Sequence, residues 1–329
     1  FSQSIPFPSY FTAKSGLYKS ELTYSELRHQ ATTNEIRAQV QSYYYELIYL
    51  LSSQKQLQLL DSLYNDFVKA TALRYKTGET NLLENVSAET RRGQFLLLIN
   101  QNKSQYERVY AILKSLMNIK EDFTISDYEI YSPLSLSTSL ETLNIMDNPA
   151  VKLFYQQAVI AEQNKRVEKA SALPGFSFGY FNQSIIGTQV IDGNEVYFDG
   201  NKRFQGVNVG LNIPLTFFSN KAKIKSMSFK QQALQMEADN ERLKFENRLH
   251  NAFLEYNQNL AQFNYYKAIA IPNADVLIKT AKLGFKSGNT SYIEYLQALQ
   301  TSADINLNYL QTINQINQSV ININFLINK

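Results

Sequence analysis

Between Gly16 and Gly78 the chain carries neither glycine nor proline. Apolar side chains recur along it at three- and four-residue steps, with Leu47, Leu50 and Leu51 followed by Leu57, Leu60, Tyr64 and Phe67. That is helical periodicity with a narrow apolar stripe. The spacing predicts one helix from about Ser15 to Tyr75. Roughly sixty residues at 1.5 Å each make an arm of roughly 90 Å. An arm that long needs a partner along its length, as a coiled coil or a helical hairpin.

The stretch "KTGET" ends the arm. Gly78 supplies the positive φ that closes a helix. Thr80 or Asn81 can cap a second helix, which runs to about Asn118. The same corner recurs later. "RYKTGETNLLE" is answered by "GFKSGNTSYIE", and Gly288 follows Gly78 by 210 residues. The repeat also extends backwards, since "SIPFP" at Ser4 to Pro8 matches "NIPLT" at Asn212 to Thr216. Pro6 lies 72 residues before Gly78 and Pro214 lies 74 before Gly288. The unit is a strand, a long helix out, a glycine corner and a helix back. The second copy is preceded by a helix and a strand, so one helix and one strand are expected ahead of Phe1.

The remaining segments divide as follows. Residues 1–8 are the end of a strand, and 9–118 are the first long helical hairpin with its tip at 75–84. Residues 119–147 are a mixed linker, in which "SPLSLSTSLETL" reads as irregular structure or short helices. A helix occupies 148–173, with Asn148-Pro149 as its start. Residues 174–215 hold two strands joined by a polar, glycine-bearing loop. Residues 216–329 are the second long hairpin, kinked at Pro272, with its tip at 284–294.

The two strands alternate with period two. Phe176, Phe178 and Tyr180 alternate with Ser177 and Gly179, and Val207, Val209, Leu211 and Ile213 with Asn208, Gly210 and Asn212. One face is large and apolar, the other small and polar. A soluble sandwich and a membrane barrel both produce this pattern, with opposite sides facing the core. Context favours the barrel. The strands are too few for a sandwich, and an isolated hairpin is marginal in water. Four strands cannot close a barrel, and lipid tolerates no open edge, so copies of the chain must share one.

Composition narrows the function. Net charge is +3 with 19% charged residues and no basic run, which argues against a nucleic-acid partner. With no cysteine, disulfides and thiolate metal sites are excluded. No apolar run approaches the roughly 18 residues of a membrane-spanning helix. His29 and His250 are the only histidines and have no second ligand at helical spacing, while Met117, Met146, Met227 and Met236 read as packing residues. No catalytic set or phosphate loop is legible, so neither an enzyme nor a metal or other cofactor is expected.

The two corners, the repeat spacing and the strand pair together resemble the outer-membrane efflux protein (TolC-like) family. The opening "FSQSIPFPSYF" and the first corner resemble most the branch that accompanies heavy-metal cation pumps. The resemblance implies a mainly α fold with a small β part. Long coiled-coil hairpins in two repeats would form an α-barrel, and the strands would belong to a shared trimeric transmembrane β-barrel. It implies a passive export duct in the Gram-negative outer membrane with its helices in the periplasm. The implied partners are two further copies (a homotrimer), outer-membrane lipid, a periplasmic adaptor protein and an inner-membrane resistance-nodulation-division pump.

Site residues follow from the same resemblance. The adaptor-docking tips would be Tyr75, Gly78, Glu79, Thr80, Phe285, Gly288, Asn289 and Thr290. Glu84 and Glu294, each six residues after its glycine, would form acidic rings at the entrance and raise one another's pKa values. Equally, they read as helix N-terminal carboxylates favoured by the dipole. Phe285 and Thr290 stand where relatives can carry Tyr and Arg, so a gate latched through those groups is in doubt. Phe176, Phe178, Tyr180, Val207, Val209, Leu211 and Ile213 would face lipid. A soluble periplasmic coiled-coil scaffold or adaptor with a small β-layer is the alternative.

Overall fold

The structure is a computed structural model and describes residues 1–125, 131–136 and 144–329. The expected irregular stretch "SPLSLSTSLETL" lies partly outside the described residues, as does much of the 119–147 linker. The elements in chain order are β1 (Ser2–Ile5), α1 (Pro8–Lys76), α2 (Leu82–Leu116), a 3₁₀ turn (Ile145–Asp147), α3 (Pro149–Ser171) and β2 (Gly175–Ser184). They continue with β3 (Gly187–Ile191), β4 (Asn194–Phe198), β5 (Arg203–Asn212), α4 (Phe217–Tyr265), a π turn (Tyr266–Ala270), α5 (Ile271–Ser287) and α6 (Tyr292–Ile327). The chain forms two compact units, residues 1–30 with 149–243, and residues 31–148 with 244–329.

The first unit holds the sheet and α3. The sheet is antiparallel in the order β1-β2-β5, with Phe176 opposite both Ile5 and Leu211. Small side chains let the helices approach closely, with Ala158, Ala161 and Ala170 of α3 and Ala238 of α4 buried. Polar ties join them: the Tyr155 hydroxyl donates to Asp239 at 2.9 Å, and the Gln156 amide to the Ser20 carbonyl at 2.8 Å.

Two expectations change in this unit. The first helix begins at Pro8, not near Ser15, because proline at a first helical position loses no hydrogen bond and brings a preset φ. The connection between the long strands is not simply a loop, because it contains the β3–β4 hairpin. Asp192 and Gly193 turn it with φ of 49° and 82°, the paired positive values of a two-residue hairpin turn.

The second unit is helical. The expected stripe on α1 lies in its core: Leu47, Leu50, Leu57, Leu60, Tyr64 and Phe67 are buried, and Leu51 is half-buried beside them. Helix α6 is buried most continuously, packing Ala298, Leu299 and Ala303 against the α1 stripe and, further along, Ile313, Ile316 and Val320 against Phe263. The linker segment lies on α6 through a hydrogen bond from the Leu134 amide to the Asn317 side chain at 2.6 Å. At the far end of α6, side chains donate to carbonyls of the last turn. Asn148 and Asn34 donate to Phe325 at 2.8 and 3.0 Å, and Asn148 also to Leu326 at 3.1 Å.

The interruption expected at Pro272 is the π turn. Pro272 cannot donate, and its ring would press on the carbonyl four residues back. The wider turn relieves this, and the Ile271 amide bonds to Tyr266, five residues back. The turn also accounts for half of the length mismatch between the repeats. Helix α1 begins two residues after Pro6, whereas α4 begins three after Pro214. The second extra residue is absorbed by the π turn, which holds one more residue than an α turn.

Candidate functional site

Both corners close by the same hydrogen bonds. At the first, the Gly78 amide donates to Tyr75 at 3.1 Å and the Glu79 amide to Arg74 at 2.8 Å. At the second, Gly288 donates to Phe285 at 3.4 Å and Asn289 to Gly284 at 2.8 Å. These are Schellman closures, and their glycines sit at φ of 76° and 79°. A Cβ at either glycine would meet nothing within 4 Å, so the backbone there is bare. Exposure repeats as well. Leu73 and Leu83 of the first corner and Leu283 and Ile293 of the second are all exposed, each pair 210 residues apart.

The helices that leave the corners are capped alike. Asn81 accepts from the Glu84 amide at 3.0 Å, and Ser291 from the Glu294 amide at 3.3 Å. The Glu294 carboxylate returns to the Ser291 amide at 2.7 Å, completing a capping box. These bonds from the Ser291 backbone and side chain hold the Glu294 carboxyl below the usual glutamate range. Glu84 receives the Thr80 hydroxyl instead. In the single chain, then, both glutamates act at helix starts.

The corners differ in how one aromatic position is used. Tyr75 is exposed, whereas its counterpart Phe285 is half-buried. Phe285 stacks on Tyr295 at 4.9 Å and meets Phe67 edge-on at 5.5 Å, while Phe67 also stacks on Tyr292 at 5.3 Å. Arg74 lies 5.4 Å over the Phe285 ring and pairs with Glu79 at 3.8 Å. An aromatic knot thus ties α1 to the second corner. Thr290 packs so closely on Gly284 that a Cβ there would stand 2.0 Å from the Thr290 hydroxyl oxygen.

Sequence reasoning did not find this knot. Phe67 reads as one more stripe residue, and nothing local pairs it with residues more than 200 positions away. Arg74 carries a signal only in hindsight, as the cation one turn before the glycine.

On the sheet, the large residues share one face as expected. Phe176 faces Leu211, Phe178 faces Val209 and Tyr180 faces Val207, and all six are exposed. Ile213, just past β5, is exposed too. The other face is so close-packed that a Cβ on Gly210 would stand 2.5 Å from the Ser177 hydroxyl. Both long strands have ten residues, the length that crosses a bilayer when tilted. No helix among the described residues is long and apolar enough to do so. Among the described residues no group of three or more His, Asp and Glu converges on a metal position.

A family model described as outer membrane efflux protein matches residues 148–329. Among solved structures, the outer-membrane channel OprN superposes with a TM-score of 0.81 at 13% identity, over 99% of this chain and 73% of OprN. The Campylobacter jejuni outer membrane channel CmeC gives 0.79 at 13%, over 99% of this chain and 69% of CmeC. CusC, described as changing conformation during folding and transmembrane channel formation, gives 0.81 at 12%, over 99% of this chain and 76% of CusC. At these identities the likeness is one of fold. No curated protein matches the chain. With a long-helix, two-corner fold shared with outer-membrane channels and a family match over more than half its length, the chain belongs to the outer membrane efflux protein family, with its helical part in the periplasm.

Proposed function

We propose that the chain is one protomer of a trimeric export duct. Its three-stranded sheet would join those of two other copies in a shared barrel, and its glycine corners would meet a periplasmic adaptor beneath an inner-membrane resistance-nodulation-division pump. The observation that carries this is the exposed apolar sheet face opposite a small polar one. Phe176, Phe178, Tyr180, Val207, Val209, Leu211 and Ile213 face lipid, and the serines, glycines and asparagines line water. A sheet of this size with two open edges is stable in a bilayer only when other copies close it.

The corners suit docking for two reasons. Gly78 and Gly288 present bare backbone, and the paired Leu73, Leu83, Leu283 and Ile293 present apolar side chains with no role in the protomer's own core. The flanking Tyr75, Glu79, Thr80, Phe285, Asn289 and Thr290 complete these tips. Glu84 and Glu294 would form carboxylate rings at the entrance. Heavy-metal cations are the proposed cargo, on the resemblance of the opening stretch and first corner to that branch, with the choice of ion made by the pump.

Neighbouring residues on opposite faces test the barrel. Lysine on the lipid face of a barrel costs about 2–4 kcal/mol at mid-membrane, while lumen positions tolerate it. Val209→Lys should therefore abolish membrane-inserted trimer and Asn208→Lys should leave it. Equal tolerance of both would reject the barrel. For docking, Leu83→Asp with Ile293→Asp should weaken adaptor binding with trimer intact; unchanged binding would remove the tips from the interface.

A further inference from the structure

The two faces of the β2–β5 ribbon exchange character part-way along it. From Phe176–Leu211 to Tyr180–Val207 the first face is large and apolar, and the second carries Ser177–Gly210 and Gly179–Asn208. Beyond that level the first face carries Asn182–Gln205 and Ser184–Arg203, and the second carries Phe181–Gly206 and Gln183–Phe204. The register runs unbroken through all ten pairs, so it is the chemistry that swaps and not the parity. Tyr180 marks the boundary, its hydroxyl donating to Gln205 at 2.8 Å. A phenol at that level suits a membrane–water boundary, with an apolar body and a wet tip.

The rings beyond the boundary are built in. The Phe181 ring lies across Gly206, where a Cβ would stand 2.7 Å from it. Phe204 meets Phe198 of the β3–β4 hairpin at 5.6 Å, and the Lys202 ammonium lies 4.8 Å over the Phe198 ring. Phe181 and Phe204 nevertheless stay 43% and 38% exposed. This end of the ribbon is the outer one, because the opposite end joins α3 and α4. A ribbon leaving lipid has reason to turn polar on its first face. It has no such reason to turn aromatic on the face that lines water.

We propose that Phe181 and Phe204, backed by Phe198, form an aromatic constriction at the outer mouth of the duct. Three copies bring six rings toward the axis, and an apolar ring of that kind restricts passage by excluding water. The proposal rests on the shared-barrel reading, in which the second face is the lumen.

Cysteine labelling tests it, since these 329 residues hold no cysteine to interfere. Ser177→Cys lies on the lumen face below the rings, and Val209→Cys on the lipid face. Intact cells are treated from outside with a bulky polyethylene-glycol maleimide. Ser177→Cys should label slowly, and Phe181→Ser with Phe204→Ser in the same chain should speed labelling by roughly tenfold or more. Trimer content is read on the same samples. If the serine pair does not assemble, Phe181→Leu, which keeps an apolar body over Gly206, carries the same comparison with a smaller increase. Equal rates with and without the rings overturn the constriction. Labelling of Val209→Cys in preference to Ser177→Cys overturns the barrel reading itself, and the constriction with it.

Discussion

Phe67 is the residue whose removal should most clearly separate the two corners. It is 1% exposed, with ring centroids of Phe285, Tyr292 and Tyr295 at 5.5, 5.3 and 5.1 Å. Replacing a buried phenylalanine by alanine costs about 3–5 kcal/mol, cavity included. The knot holds α1 to the α5–α6 corner, so the cost should appear as local opening there. At about 1.4 kcal/mol per factor of ten, 3 kcal/mol is an amide exchange rate raised on the order of a hundredfold. Hydrogen exchange read over the first turns of α6, from Tyr292 to Ala303, measures it. Phe67→Leu keeps most of the volume and should cost less than about 1.5 kcal/mol, roughly tenfold or less. Amides of α3 around Tyr155 belong to the other unit and should not change. If Phe67→Ala leaves exchange at Tyr292–Ala303 within about threefold of wild type, the rings are merely adjacent and the knot does not tie the corners.

Other consequences are smaller and equally direct. Alanine at Gly78 or Gly288 should cost only the left-handed backbone, about 1–2 kcal/mol, because its Cβ meets nothing. Gly284→Ala should cost more, and Thr290→Ala should relieve it; thermal unfolding of the single and double variants reads the coupling. The Tyr64 hydroxyl is buried with no hydrogen-bond partner among the described residues, and burial pushes its pKa up to about 12. The neutral phenol is the form the fold holds, so its contribution is present below the ordinary tyrosine range near 10 and is lost as pH rises toward the folded value. Tyr64→Phe should remove that alkaline loss, and an unchanged alkaline melting profile would refute it. Glu294 has the opposite sign: its lowered pKa means that the capping contribution is present above the ordinary glutamate range and fades as pH falls through the folded value. Protection of the Glu294 and Tyr295 amides, taken against the intrinsic exchange rate at each pH, should fall at low pH in wild type and lose that dependence in Glu294→Gln. For the proposed acidic rings, Glu84→Gln with Glu294→Gln should lower cation selectivity in single-channel recordings; unchanged selectivity would leave the two glutamates as caps alone.

Much of the fold is legible because it is written in local chemistry. A glycine that must sit at positive φ, a polar cap three residues later and an apolar stripe fix each corner without knowledge of the rest. The sheet faces are legible for the same reason, as period two survives in the sequence. What escaped was of two kinds. The β3–β4 hairpin was readable in "VIDGNEVYF", where Asp192-Gly193 separates two β-rich runs, but the polar residues around it suggested a loop. The aromatic knot was not readable, because it joins Phe67 to residues more than 200 positions away. The change of face at Phe181 lay between: the strand alternates strictly through Tyr180, and the next aromatic falls on the other parity.

The proposed role of the sheet depends on three copies of this chain closing one barrel. Imaging the protein in nanodiscs, at a resolution that counts subunits and strands, tests it most directly. A shared barrel should show threefold symmetry, with β1, β2 and β5 of each copy in one closed barrel and both glycine corners of every copy at the far end of a helical tunnel. A monomer or dimer whose Phe176, Phe178, Val207 and Val209 pack inside a soluble β-layer would contradict it and return the long hairpins to a scaffold role.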